Sequence, residues 1–357
     1  MRLLVVKTSS MGDILHTLPA ITDASRAIED LQIDWLVEEA FTEIPAWHPA
    51  VNEVLTVAWR RIRKGGPKAF FSKEWRSFKK DLKRREYDAI IDAQGLIKSA
   101  RLTRLPKGPK YGLDKHSARE SLSSKVYDHK ICVSKEQHAV TRVRELFAKA
   151  LGYDVDLSRK GDYGIRERLA TKTRTDKWSE KPYLVFLHGT TWETKHYPEE
   201  YWRELIKQAA TEGYDVHLLH GNDEERARAE RLGRQYRHVV VQPKLTLKAI
   251  ASLLCQAKAA IAVDTGLGHL AAAVDCPTVS VFGPTNPSLT GAYGQSQKHL
   301  ASNFSCSPCL EKSCPVLAGT RLPDNLTKER LAGIRVTPPC FSTLKPDLVW
   351  LNLKLLL

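Results

Sequence analysis

The chain has 357 residues, enough for two domains of ordinary size and too long for one small core. Its 42% hydrophobic and 27% charged residues are those of a globular protein, and no run nears the ~18 apolar residues of a membrane-spanning helix. The net charge of +14 is unevenly placed: residues 60–85 hold twelve Lys and Arg against Glu74 and Asp81, a patch that attracts nucleic acid, an anionic membrane face or a phosphorylated substrate.

The apolar start Leu3 to Val6 stops at Lys7. It is too short for a signal-peptide core, so it reads as a first strand, and the protein is expected in the cytoplasm. The loop Thr8 to Asp13 follows, with the single glycine Gly12, and leads into a helix. Without G-x-G-x-x-G it is a poor dinucleotide site. Asp13 at the helix start is either a cap or a general base at the mouth of the sheet. Further strands are predicted at Ile33 to Val37, Val54 to Val57 and Ala89 to Asp92, the last running into Ala93, Gln94, Gly95 and a helix with Lys98. This β-turn-α rhythm is that of a doubly wound sheet. Within the basic stretch, Trp59, Phe70, Phe71, Trp75 and Phe78 are interleaved with the charges. That favours a surface touching lipid headgroups or sugars over a solvated basic helix.

A polar stretch from about 154 to 181 lacks periodicity, and the linker is placed at 166–181, between a first domain at 1–165 and a second at 182–335. A new strand opens at Tyr183 to Leu187 and runs into His188-Gly189-Thr190-Thr191 and on to Lys195. Helices are predicted at Glu199 to Glu212, Asp223 to Gln235 and, capped by Thr246, Leu247 to Ala257. Strands are predicted at Val216 to Leu219 and Val239 to Val241. Then comes the stretch Ile261 to Thr285: an apolar strand ending in Asp264-Thr265-Gly266, a helical segment holding His269, and a second strand closing on Gly283-Pro284-Thr285. Ligands of open parallel sheets lie at such strand ends, beside helix N-termini. An ordinary crossover with well-formed turns would look the same. Two α/β domains that both present strand-end loops suggest an enzyme joining two substrates.

RLLVVKTSSMGDILHTLPAITDA, DAQGLIKSARLTRL, FLHGTTWETKHYPEEYWRELI and VDTGLGHLAAA with VFGPTNPSLTGAYG, in that order over residues 1 to about 298, resemble the lipopolysaccharide heptosyltransferases of glycosyltransferase family 9. The resemblance implies a GT-B fold of two Rossmann-like β/α/β domains facing a central cleft. It also implies inverting, metal-independent transfer of L-glycero-D-manno-heptose from ADP-heptose to the Kdo of Kdo2-lipid A. Asp13 matches the family's catalytic base. Thr190, Thr191 and Lys195 would hold the diphosphate, with Thr265, Gly266 and His269 closing on diphosphate or sugar and Asp264 on heptose hydroxyls. Glu225 resembles the ribose-holding residue, with Asp223 and Glu224 as neighbours that could substitute. Arg60, Arg63 and Lys64 would hold the acceptor's anionic groups, joined by Ser10, Gly12, Gln94, Lys98, Arg119 and His138. The partners implied are ADP-heptose, Kdo2-lipid A and the cytoplasmic face of an anionic inner membrane, touched peripherally by a monomer that binds no nucleic acid.

An acceptor already bearing heptose is the alternative within the family. A basic nucleic-acid-binding α/β protein is the alternative outside it, opposed by the absence of RNA-binding motifs.

The resemblance fails after Lys298. Cys306, Cys309 and Cys314 have the spacing C-x2-C-x4-C, and Cys340 follows at a distance. A structural zinc site, reduced packing cysteines and a disulfide-forming pair all remain open. The apolar tail at 336–357 is expected to pack back on the first domain, with membrane contact as a further option.

Overall fold

The computed structural model describes residues 1–172, 178–320, 331 and 333–357. The chain divides into Met1–Arg168 and Leu169–Leu357. In the first unit the order is β1 (Arg2–Val6), α1 (Met11–Leu15), α2 (Leu18–Ala27), β2 (Gln32–Glu38), α3 (Glu43–Trp47), β3 (Val51–Val57), α4 (Trp59–Lys64) and α5 (Lys73–Arg84). It continues with β4 (Ala89–Asp92), α6 (Ile97–Thr103), β5 (Lys110–Leu113), β6 (His129–Ile131) and α7 (Ala139–Leu151), and α8 (Arg166–Lys172) crosses the division. In the second unit come β7 (Tyr183–Leu187), α9 (Glu199–Thr211), β8 (Asp215–Leu218), α10 (Asp223–Gly233), β9 (Val239–Val241) and α11 (Leu247–Gln256). Then follow β10 (Ala259–Val263), α12 (Gly266–Ala273), β11 (Thr278–Phe282), α13 (Pro287–Thr290), β12 (Gln297–Ala301) and a last helix, Pro346–Lys354.

Each unit is built on one six-stranded parallel sheet. The orders are β3-β2-β1-β4-β5-β6 and β12-β11-β10-β7-β8-β9. Numbered within its own unit, each sheet runs 3-2-1-4-5-6, the doubly wound dinucleotide-fold order, whose direction reverses at one place. That place lies between β1 and β4 in the first sheet and between β7 and β10 in the second. Leu3 to Val6, Ile90, Ile91, Leu184 to Phe186 and Ala259 to Ala262 are fully buried. Continuous apolar runs of this kind suit strands covered on both faces.

The second core gathers Phe186, Trp202, Leu205, Ile261, Val281 and Phe341. Trp202 is 0% exposed and packs against Phe186 and Tyr197 at ring separations of 5.4 and 5.5 Å. Trp202→Ala should therefore lower the stability of the second unit by about 3–5 kcal/mol, read as a fall in its thermal or denaturant midpoint.

Much of the aperiodic polar stretch before residue 166 is stitched to the first unit. Arg144 pairs with Asp23 at 2.6 Å and donates to the carbonyls of Arg159 and Asp156, while Tyr163 and Ile165 are buried. The linker expected at 166–181 begins as helix α8, and its residues 173–177 lie outside the described residues. The tail, expected at 336–357 to pack back on the first domain, is built into the second unit. Val349, Trp350 and Leu353 of the last helix join the second core, and the helix packs on α9 and β11. Its other face leaves Leu348, Leu351 and Leu355 exposed. Among the described residues no helix is long and apolar enough to cross a membrane.

Candidate active site

Asp13 lies just past the carboxyl end of β1, in the first turn of α1, at the reversal point of the first sheet. Its Oδ2 accepts from both the backbone N and the Oγ of Ser10, each at 2.8 Å. This reciprocal cap fixes the side chain and leaves it 38% exposed, open to a reactant. Lys7 stands behind it, Nζ 3.9 Å from Asp13 Oδ1, with a 7% exposed side chain. Lys7 Nζ donates to the Ala93 carbonyl at 2.7 Å, tying the end of β1 to the end of β4.

The charges follow from this placement. Desolvation pushes the Asp13 carboxyl up, but Lys7, the Ser10 hydrogen bonds and Arg119 outweigh it and hold it below the usual carboxylate range. Burial pulls the Lys7 ammonium down, while Asp13 and Asp92 support its charge. Asp92 is fully buried; desolvation raises its carboxyl, against hydrogen bonds from the backbone N–H groups of Gln94 and Gly95 and from the Tyr127 hydroxyl.

The acceptor candidates separate into braces and exposed cations. Gln94 Oε1 accepts from the backbone N–H groups of Thr8 and Ser9, both at 3.1 Å, so it shapes the loop before Asp13. Gly12 is buried within α1. His138 caps α7, its Nδ1 accepting from Val140 N at 3.2 Å, and its ring meets that of His16 edge-on at 5.4 Å. Lys98 Nζ donates to Ser9 Oγ at 2.7 Å. Burial lowers the Lys98 ammonium, and Arg60 and Arg63 add repulsion while Glu38 and Asp13 oppose it. These cations and Asp13 thus share one neighbourhood.

Arg60 donates its backbone N–H to Glu38 at 3.0 Å and lays its guanidinium over Phe41. Arg63 and Lys64 are exposed on α4, as is Arg119 on its loop. Arg61, by contrast, is bound to Glu39 and Glu74. Behind α4, Trp59, Phe70, Trp75 and Phe78 pack together, and Phe71 beside them is 71% exposed.

In the second unit the candidates meet at the other reversal point. Lys195 Nζ lies 2.6 Å from Asp264 Oδ2, with side-chain exposures of 15% and 10%. Thr285 donates to the same oxygen at 2.7 Å, and Thr190 Oγ1 donates to the Asp264 carbonyl at 3.0 Å. Lys195 also stands over the Trp192 ring, 4.3 Å from its centroid. Thr191 is exposed. Thr265 is the N-cap of α12 without capping through its side chain, so Gly266 and its neighbours begin the helix with backbone donors to offer. His269 is buried one turn on.

Glu225, in the first turn of α10, accepts from Gly221 N at 2.7 Å, and its carboxyl fills the space a side chain at Gly189 would need. That contact joins the loops after β7 and β8. Next to it an open groove of about 840 Å³ is lined by His220, Gly221, Asn222, Asp223, Gln242 and Lys244. The volume is that of a small-molecule site. Sequence reasoning missed Lys7, Asp92, Thr285 and this groove. A lysine ending a buried strand and a carboxylate ending the neighbouring one were the available signal.

Two doubly wound parallel sheets, with the second gathering hydroxyls, an ammonium and a helix start at its reversal point, form a glycosyltransferase of the GT-B type. The model of glycosyltransferase family 9 (heptosyltransferase) matches residues 75–318, and the chain belongs to that family. It is 53% identical to lipopolysaccharide heptosyltransferase 1 of Pseudomonas aeruginosa (strain PAO1), over 100% of this chain and 98% of that one. It is 50% identical to lipopolysaccharide heptosyltransferase 1 of Escherichia coli (strain K12), over 83% of this chain and 92% of that one. Among solved structures, E. coli heptosyltransferase WaaC with ADP superimposes with a TM-score of 0.80 at 47% identity, covering 89% of this chain and 98% of its own.

Proposed function

We propose that this chain transfers L-glycero-D-manno-heptose from ADP-heptose to a Kdo residue of Kdo2-lipid A, with inversion at the anomeric carbon. The observation that carries the reading is Asp13: a partly exposed carboxylate whose pKa Lys7 helps to hold down and which Ser10 pins. The acceptor hydroxyl oxygen attacks the anomeric carbon and its proton passes to Asp13. The bond from that carbon to the diphosphate oxygen breaks, and ADP leaves with the electron pair. The charge it gains is met by Thr190, Thr191, Lys195 and the backbone donors that open α12, a set able to serve without a divalent metal. The diphosphate then competes with Asp264 for the Lys195 ammonium, which leaves Asp264 available to sugar hydroxyls. Glu225 and the groove beside it suit the ribose and adenine.

Arg60, Arg63, Lys64, Lys98 and Arg119 would receive the acceptor's phosphate and carboxylate groups. The basic, aromatic-backed surface of α4 and α5 would rest peripherally on the anionic inner membrane, on its cytoplasmic side. Arg63→Ala with Lys64→Ala should weaken binding to Kdo2-lipid A vesicles and flatten its salt dependence, while ADP binding is unchanged by calorimetry. The deciding experiment is incubation with ADP-heptose and Kdo2-lipid A, read by product mass. One added heptose is the expected result. Transfer only to an acceptor that already bears heptose would overturn the acceptor assignment.

A further inference from the structure

Four of the seven cysteines, none of them placed in the transfer step above, come together. Cys306, Cys309, Cys314 and Cys340 line one small cavity of about 10 Å³, with Gly283, Pro284 and prolines from the flanking loops. The other three, Cys132, Cys255 and Cys276, line no part of it. Leu310 N donates to the Pro284 carbonyl at 2.9 Å, Ser307 Oγ donates to the Gly283 carbonyl, and Ser302 Oγ donates to the Cys340 carbonyl at 2.7 Å. The packing at Gly283 is close: a Cβ on it would stand 2.9 Å from Cys340 Sγ and 3.0 Å from Phe341 Cζ.

From this convergence we propose that Cys306, Cys309, Cys314 and Cys340 bind one thiophilic divalent cation, Zn²⁺, in a four-sulfur site. The cavity volume suits a single small ion. C-x2-C-x4-C plus a fourth cysteine supplies the tetrahedral ligand count of a structural site, with Zn–S distances near ~2.3 Å. Among the described residues no three His, Cys, Asp or Glu groups already stand in a coordinating arrangement. Ligation therefore requires the cysteines that line the cavity to change rotamer about Cα–Cβ. Each thiol that ligates releases its proton to solvent, and the metal keeps its charge, so no oxidant is needed.

The site reaches the donor loop. Thr194 Oγ1 donates to the Glu311 carbonyl at 2.6 Å, and Lys312 stands 5.8 Å over Trp192, the ring that also carries Lys195. Metal in the cavity would hold the 306–314 loop and, through Thr194, steady Lys195.

The test uses the full chain purified under reducing conditions without chelator, with bound metal measured by plasma mass spectrometry. One Zn²⁺ per chain is expected. Adding Co²⁺ to chelator-treated protein should give sulfur-to-cobalt charge-transfer absorption. Cys309→Ser and Cys314→Ser should each lower zinc affinity at least tenfold, and Cys132→Ser and Cys255→Ser should not. Should a serine variant fail to fold, the wild-type chain still decides: Zn²⁺ should protect four of its seven cysteines from alkylation. Equal alkylation of the four with and without Zn²⁺, or a disulfide joining two of them in the purified chain, would overturn the site. These readouts do not involve heptosyl transfer, so their failure leaves the transfer assignment standing and the reverse also holds.

Discussion

Asp13→Asn should lower kcat for heptosyl transfer about 10²–10⁴-fold, the span of a lost general base, with ADP-heptose affinity nearly unchanged. The substitution keeps the side chain's shape and its acceptor oxygen for Ser10, so α1 should stay folded. Normal transfer by this variant would show that another group takes the proton. The pH profile gives a second reading. In the native chain the Asp13 carboxyl is held below the usual carboxylate range, so activity should decline only at pH values below that range. Lys7→Met removes the cation 3.9 Å away and leaves the desolvation that opposes ionisation. The carboxyl pKa then rises, and the acid limb of kcat/KM moves to higher pH. An acid limb unmoved in Lys7→Met would mean that Lys7 serves only the seam between β1 and β4.

Lys195→Met should be the most destabilising of the site substitutions, by about 3–5 kcal/mol, because it strands the Asp264 carboxylate where little solvent reaches it. Thr285 remains as a donor, which offsets part of the loss. Asp264→Leu alone strands the ammonium instead. The double variant Lys195→Met with Asp264→Leu should recover much of the stability that either single variant loses, since the cost lies in the unpaired charge rather than in the missing attraction. It should not recover ADP binding. Denaturant midpoints of the four proteins, with calorimetric titration of ADP, check both statements. If the double variant is as unstable as the sum of the singles, the two charges are not coupled as the 2.6 Å contact requires.

The central strands were legible because their residues carry the information locally. Leu3 to Val6, Tyr183 to Leu187 and Ala259 to Val263 are unbroken apolar runs, and each lies in the middle of its sheet. Three others were not. His129–Ile131 and Gln297–Ala301 are partly exposed edge strands, whose polar residues erase the apolar run. Lys110–Leu113 has only four residues, with a glycine among them. The same distinction governs the sites. Asp13 and Asp264 stand at the ends of readable strands, so their positions followed from the pattern, and their family roles from the resemblance. What Lys7 does depends on the Ala93 carbonyl, 86 residues away, and on a pairing of β1 with β4 that no local window contains. The tail misled because its apolar residues are many and all-round: Val349 and Trp350 are core, Leu351 and Leu355 are not.

The reversal points have a consequence for motion. β1, β4, β7 and β10 are each hydrogen-bonded to a strand on both sides, so their amides can exchange with deuterium only when a large part of a sheet opens. Leu4, Val5, Ile261 and Ala262 should therefore be among the slowest-exchanging positions in the chain. The loops bearing Asp13, Gln94, Lys195 and Asp264 leave these same strands within a few residues. The chemistry is hung from the part of each unit that opens least often, so slow breathing at the edge strands β3, β6, β9 and β12 can proceed without disturbing the distance from Asp13 to Lys7 or from Lys195 to Asp264.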